Sequence, residues 1–253
     1  MGRFLSLCGV ALGLIMSVAG MASADTSRLP PGDPCGAGPG RAMGNPCGGN
    51  AGSPGAMGGV RRNMNPPALS IEMPAVRGRE AFVEQIGNGN VAQVKQSAAN
   101  AHARVRQSGD RNDSMVVQKG AATSYFEGMQ TGSANISQVL QEGTGNNVAR
   151  GSQTGDDNWM SVRQTAGSSA DGMHNGAVLA QNGSRNDMDL LQDGSGNKAR
   201  LTQEGNDNQM SLVQTGNNNS LTWTQQGNGL SNLFITQDGH GGQTNMTITQ
   251  TRQ

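Results

Sequence analysis

Fifteen glutamines return through the last two thirds of this chain at a nearly fixed beat: Gln85, Gln96, Gln107, Gln118, Gln130, Gln141, Gln153, Gln164, Gln181, Gln192, Gln203, Gln214, Gln225, Gln237 and Gln250. Nine of the fourteen intervals are 11 residues, three are 12, one is 13 and one is 17. A primary carboxamide carries an NH2 donor and a carbonyl acceptor and does not ionise. Its chemistry is therefore hydrogen bonding. Amides repeated at constant spacing can stack so that each bonds to the next. Groups suited to catalysis are sparse. His102, His174 and His240 fall in a strand, a bulge and a turn, and no spacing joins them to a nucleophile or a ligand set. No calcium-binding Gly-Gly-x-Gly-x-Asp run recurs either. The sequence implies no catalytic residue, no metal and no cofactor.

Two further residue types keep the same beat. Glycine follows the glutamine by two places at Gly87, Gly109, Gly120, Gly132, Gly143, Gly155, Gly183, Gly194, Gly205, Gly216, Gly227 and Gly239. Asparagine marks the other end of the unit at Asn90, Asn112, Asn135, Asn158, Asn175, Asn186, Asn197, Asn208 and Asn219. The unit reads Q-x-G-x-x-N-x-φ-x-φ-x-Q, with φ small or aliphatic. From Asn to Gln the pattern alternates with period two, the mark of a strand with one buried face. In Asn197–Gln203 the inward set is Asn197, Ala199, Leu201 and Gln203, and the outward set is Lys198, Arg200 and Thr202. A helix would space the apolar pairs at three or four residues. The four residues between Gln and Asn form a tight turn, where glycine takes a positive φ at low cost.

Strand and turn alternate, so two of each make a strand–arc–strand coil of about 22 residues. Successive coils stack at about 4.8 Å through main-chain hydrogen bonds, and identical residues lie one above another. The expected architecture is an all-β solenoid of cross-β character. With Arg79–Gln85 as the first strand there are fifteen, a body roughly 36 Å long at that spacing. The inward phase of Gln and Asn then makes sense, because a buried amide is costly unless another amide satisfies it. Irregular units are placed individually. Ala98 and Ala166 stand where the turn glycine belongs. Ala101, Thr123 and Leu230 stand where asparagine is expected by counting forward. Phe126, Gly128 and Gly151 are unusual fillings, and the 17-residue interval leaves a bulging arc within Ala166–His174.

The rest of the chain differs in kind. All nine prolines lie at or before Pro74. Residues 1–24 read as a secretory signal, with Arg3, the apolar run Phe4–Val18 and the small-residue site Ala22-Ser23-Ala24. Residues 25–78 are Gly-, Pro- and Met-rich without apolar periodicity, and are expected to be disordered. Cys35 and Cys47 could close a disulfide loop in an exported chain; two cysteines are too few for a metal. Residues 79–253 form the repeat domain. Formal net charge is zero, which removes a nucleic-acid partner from consideration. Only 34% of residues are hydrophobic and 3% aromatic, too few for a thick ordinary core but suited to a narrow one.

The repeat resembles the curlin repeat of curli fibre subunits, the secreted functional amyloid of bacterial biofilms. The resemblance covers Arg79 to Gln253. It implies secretion through an outer-membrane pore with accessory factors, a homopolymer grown from a nucleator or companion curli subunit, and a place in extracellular fibres for adhesion and biofilm matrix.

The last strand, Thr244–Gln250, keeps its inward set and stops three residues from the end, with no capping repeat in the sequence. An uncovered strand edge templates further pairing. The sequence therefore leads to end-to-end polymerisation through that open edge. Outward charges at Lys95, Arg104, Arg106, Asp187 and Asp189 either limit premature pairing or form an ordinary solvated face. Outward Val117, Leu140, Trp159, Val213 and Phe234 suggest a stripe for lateral bundling. The alternative is a monomeric β-solenoid that binds ice, a sugar or a surface. Outward Thr222, Thr224, Thr247 and Thr249 give it a start, but Lys198 and Arg200 interrupt a flat threonine array.

Overall fold

The computed structural model describes residues 60–63, 66–120, 123–168, 172–239 and 244–252, all within one compact unit, 54–253. The expected signal segment, Cys8, Cys35, Cys47, His240 and most of the Gly- and Pro-rich stretch lie outside the described residues. Among the described residues the secondary structure is entirely β. The strands are β1 (Val60–Asn63), β2 (Arg79–Ile86), β3 (Val91–Gln96), β4 (Asn100–Ser108), β5 (Asp113–Gln118), β6 (Thr123–Thr131), β7 (Ile136–Gly143) and β8 (Asn146–Thr154). They continue with β9 (Trp159–Ala166), β10 (His174–Asn182), β11 (Asp187–Ser195), β12 (Lys198–Glu204), β13 (Gln209–Asn217), β14 (Asn219–Gln226), β15 (Leu233–Gly239) and β16 (Thr244–Thr251).

Alternate strands go to opposite sheets. The even-numbered ones, with β1 added, form a nine-stranded sheet in the order β1-β16-β14-β12-β10-β8-β6-β4-β2. The other odd-numbered ones form a seven-stranded sheet, β15-β13-β11-β9-β7-β5-β3. Every pair from β2 onward is parallel. Parallel neighbours need a crossover; here the strand of the facing sheet supplies it. The result is a parallel β-solenoid of about seven turns. Gln181 aligns with Gln203, and Gln203 with Gln225, so the sequence beat has become the spatial register.

Burial alternates along the strands as period two demands, for example in β5 and β12. One core runs between the sheets. It is lined by small side chains at Ala103, Val105 and Val116, and by larger ones at Leu201, Leu212 and Trp223. The unusual fillings explain one another. Phe126 is fully buried, and a Cβ at Gly128 would lie 2.6 Å from its ring. Gly151, aligned with Gly128, leaves room for Phe126 and for the Met160 sulfur. Two glycines on neighbouring coils thus make the space for one ring.

Each regular arc turns on two residues of positive φ. The first is the glycine two places after Gln; Gly109 has φ 112°, and a Cβ there would lie 2.1 Å from the Gly132 carbonyl oxygen. The second is the residue just before Asn, in the left-handed helical region. Arg111, Ala134, Asp157, Arg185 and Asp207 take it at φ 55–58°, although none is glycine. Ala98 and Ala166 are among the arc residues without positive φ.

The 12-residue intervals change which residue faces inward. Ser124, not Thr123, aligns with Asn147. Asn147 itself is fully buried and in register with Asn175. Ala101 stands in the asparagine column as counting forward places it.

The expectation of an uncapped last strand is overturned. β1 pairs with β16 antiparallel, Val60 opposite Gln250 and Asn63 opposite Thr247. Antiparallel pairing needs only an extended segment, so a cap of four non-repeat residues leaves no trace in the periodicity. Residues 66–78 then run from that cap back to β2 along the outer face of the nine-stranded sheet. Leu69 N donates to Ser220 Oγ at 2.8 Å, Ile71 is buried, and Ala101 N donates to Gly78 O at 2.8 Å.

Candidate functional site

The columns of amides are the most regular chemical feature of the molecule. In the nine-stranded sheet, each Gln Nε2 donates to the Oε1 of the next coil. The chain runs Gln85–Gln107 (2.6 Å), Gln107–Gln130 (2.8 Å), Gln130–Gln153 (2.9 Å), Gln153–Gln181 (3.0 Å), Gln181–Gln203 (3.0 Å), Gln203–Gln225 (2.9 Å) and Gln225–Gln250 (2.9 Å). The seven-stranded sheet repeats it from Gln96 through Gln118, Gln141, Gln164, Gln192 and Gln214 to Gln237, at 2.7–2.9 Å. The second amide proton goes to a backbone carbonyl of the facing strand's start, as in Gln107 to Val91 O at 2.9 Å. These buried amides therefore meet the requirement that buried polar groups be hydrogen-bonded.

The asparagine ladders run in the opposite sense. Asn112 Nδ2 and N donate back to Asn90 Oδ1, and Asn135, Asn158 and Asn186 continue the line. In the other column Asn197 N donates to Asn175 Oδ1, and Asn219 N and Nδ2 to Asn197 Oδ1. Nδ2 also caps the turn carbonyl of the following coil, as in Asn112 to Gly132 O at 2.8 Å. At Leu230, where asparagine is absent, the backbone N still donates to Asn208 Oδ1 at 3.0 Å. The column breaks at Asn147, whose buried Oδ1 has no hydrogen-bond partner among the described residues.

A third ladder, absent from the sequence reading, occupies the exposed arc position three places after Gln. Asn88 N donates to Asp110 Oδ1, Ser133 N to Asp156 Oδ1, Ser184 N to Asn206 Oδ1 and Asn206 N to Asn228 Oδ1. The recurrence of Asn, Asp and Ser at that position is the signal that could have found it.

Outward charges pair along the same axis. Arg106 meets Glu84 at 2.8 Å and Arg185 meets Asp207 at 2.7 Å. Glu142 receives both Lys119 and Arg163, at 3.1 and 3.0 Å. Burial pushes the Glu142 carboxyl up, but hydrogen bonds from Lys119 and Arg163 outweigh it and hold the group below the usual range. Arg104 is within 4.0 Å of Glu127. Burial, then the neighbouring Asp189, raises the Asp187 carboxyl. The outward apolar residues separate into columns. Val117 and Leu140 adjoin, and Leu191 and Val213 adjoin beyond Arg163. Trp159 aligns instead with Ile136, and Phe234 with Ser211.

The two ends of the stack differ. At the β2 end every residue of Arg79–Ile86 is exposed, with Phe82, Val83 and Ile86 at 56, 47 and 62%. A groove of about 410 Å3 opens there, lined by Phe82, Val83, His102, Arg104 and Tyr125. The rings of His102 and Tyr125 stack at 4.9 Å. At the other end the ladders finish at Gln250 and Gln237. Their Nε2 groups turn to nearby carbonyls, Gln250 to Ser231 O at 3.3 Å and Gln237 to Ser220 O at 3.3 Å. His102 contacts Glu80 at 3.3 Å, and His174 Nε2 donates to Ile71 O at 2.7 Å. Among the described residues no three His, Cys, Asp or Glu side chains cluster to hold a metal.

No curated protein and no solved structure matches the chain. Residues 183–216, which span β11, β12 and nearly all of β13, match the curlin associated repeat. Those strands carry the same Gln and Asn rungs as the coils on either side, so the segment similar to the curlin associated repeat is continuous with the rest of the stack.

Proposed function

We propose that the chain is a secreted structural subunit of curli-type functional amyloid, polymerising end to end on the cell surface for adhesion and biofilm matrix. The observation that carries this reading is the one-way sense of the glutamine ladders. Each ladder has a donor end at Gln250 or Gln237 and an acceptor end at Gln85 or Gln96. Were β2 of a second copy set beside β16 in the register that relates every other coil, Gln250 Nε2 would meet Gln85 Oε1. Ala81 and Val83 would then continue the column of Met246 and Ile248. The repeat family supports secretion, and the signal-like residues 1–24 agree with it. An outer-membrane pore, accessory factors and a nucleator or companion subunit are the partners this reading implies.

The test is polymerisation of the purified exported chain. Soluble monomer should convert, after a lag, to sheet-rich fibres that bind amyloid dyes, and preformed fibres should abolish the lag. Fibres should diffract at about 4.7–4.8 Å along their axis. A chain that stays monomeric under these conditions rejects the proposal. The β1 cap favours a second reading, a monomeric β-solenoid that binds a ligand on its face, and the same measurement separates the two.

A further inference from the structure

We infer that the β16 edge of the nine-stranded sheet is the docking surface for β2 of a second copy, and that Val60–Asn63 is its removable cap. The inference rests on the fibre reading above and adds what governs it.

Three observations bear on the cap. First, β1 is the sole antiparallel strand among the described residues, and it engages four residues of β16. The parallel pairs of the stack engage as many as nine, and β2 pairs over eight with β4. A second copy's β2 therefore offers a longer ladder than the cap does. Second, β1 lies outside the amide repeat and runs against the common strand direction. A strand added beyond it could not continue the glutamine column. While β1 is in place the stack is closed at this edge, as soluble solenoids close theirs. Third, the cap has its own tether. Leu69 and Ile71 are held by Ser220 and His174, and Ile71 seats against Gly176, where a Cβ would come within 3.0 Å of it. Residues 64–68 separate that anchor from β1, so the cap can leave and return without the strap undocking. A tethered cap rebinds at high effective concentration, which makes it a brake on growth and not a block.

Every β16–β2 junction needs one free β16 edge, whichever end of a fibre is growing. Holding β1 in place must therefore stop elongation at both ends. Two variants of the exported chain test this. Arg61→Pro with Arg62→Pro removes two successive N–H groups, one of which faces β16 whatever the phase of the pairing. It should shorten the lag by about tenfold if the capped form dominates the monomer population. Arg61→Cys with Thr249→Cys, whose Cα atoms are paired across the strands, locks the cap when oxidised, on a background of Cys35→Ser and Cys47→Ser. Seeded growth should cease in the oxidised chain and resume on reduction. Fibres that form and seed normally, with the same rate in wild type, proline variant and oxidised lock, overturn the cap and leave the fibre reading standing. Absence of seedable fibres from both the wild type and the uncapped variant overturns both.

Discussion

Gln153 donates to Gln181 at 3.0 Å although 28 residues separate them, six more than separate Gln181 from Gln203 at the same distance. The rung on the facing sheet, Gln164 to Gln192, also spans 28 residues and is 2.7 Å long. The longest interval in the sequence is thus absorbed entirely by its arc. Removing residues 168–173 should restore an 11-residue interval with little change in stability, within about 1 kcal/mol by loop-closure entropy. Denaturant titration of the monomer measures it; a loss of several kcal/mol would show that the arc is structural.

A single interior rung should matter more. In Gln153→Leu, Gln130 Nε2 keeps its bonds to Asp113 O and Asn135 O, but Gln181 Oε1 loses its donor in the dry interior. The expected cost is about 1–3 kcal/mol, read as a lower denaturation midpoint with an unchanged slope.

The two positive-φ positions of an arc should respond oppositely. Gly109→Ala places a Cβ against the Gly132 carbonyl at φ 112°, and should cost more than about 3 kcal/mol or prevent stacking. Arg111→Gly, at φ 57°, should stay within about 1 kcal/mol of wild type, since relief of left-handed strain offsets the added chain entropy. Thermal unfolding of both variants separates the positions.

Docking of the strap should weaken in acid. Burial, and then the charge of Lys198, hold the His174 imidazole below its ordinary value. Burial pulls the Lys198 ammonium down to about 8, with its Nζ donating to His174 O at 2.6 Å. The hydrogen bond to the strap's Ile71 carbonyl opposes the His174 shift only in part, so to the extent that the strap supplies the burial both groups bind fewer protons with it docked than when released and solvated. Acid therefore favours release, for Lys198 as pH falls from its ordinary value near 10.5 to about 8, and for His174 below about 6.5. Between pH 8 and pH 5 the change comes from His174. Protection of the Leu69 amide against hydrogen exchange, corrected for intrinsic rate, should fall over that window, and His174→Gln should flatten the fall.

Charging one column of the seven-stranded sheet should separate fibres without dissolving them. Leu140→Glu with Val213→Glu alters only outward positions. Single fibres should form at the wild-type rate, and electron microscopy should show fewer bundles; undiminished bundling would remove the column from that role.

The repeat part of the fold was legible because its physics is periodic. Fifteen strands, the inward sets of the regular units and the coil-on-coil stack follow from the Gln beat and the period-two pattern. Asn147 escaped because an interval of 12 shifts the inward residue by one. Counting back six places from Gln153 finds it where counting forward from Gln141 finds Asn146. The left-handed residues such as Arg111 and Asp207 carry no compositional mark, since the stacked arc and not the side chain dictates their φ. β1 was invisible for a different reason: four residues outside the repeat pair antiparallel with the far end of the chain, and no local pattern encodes such a partner.

The opposed senses of the amide columns reach beyond one molecule. Glutamine carbonyls point towards the β2 end and asparagine carbonyls towards the β16 end. Had both pointed one way, every added subunit would lengthen a line of aligned dipoles, and a long filament would develop poles. With the two sets set head against tail, that polarisation is partly offset in every coil that carries both amides, and the filament ends bear weaker poles than glutamine ladders alone would give them.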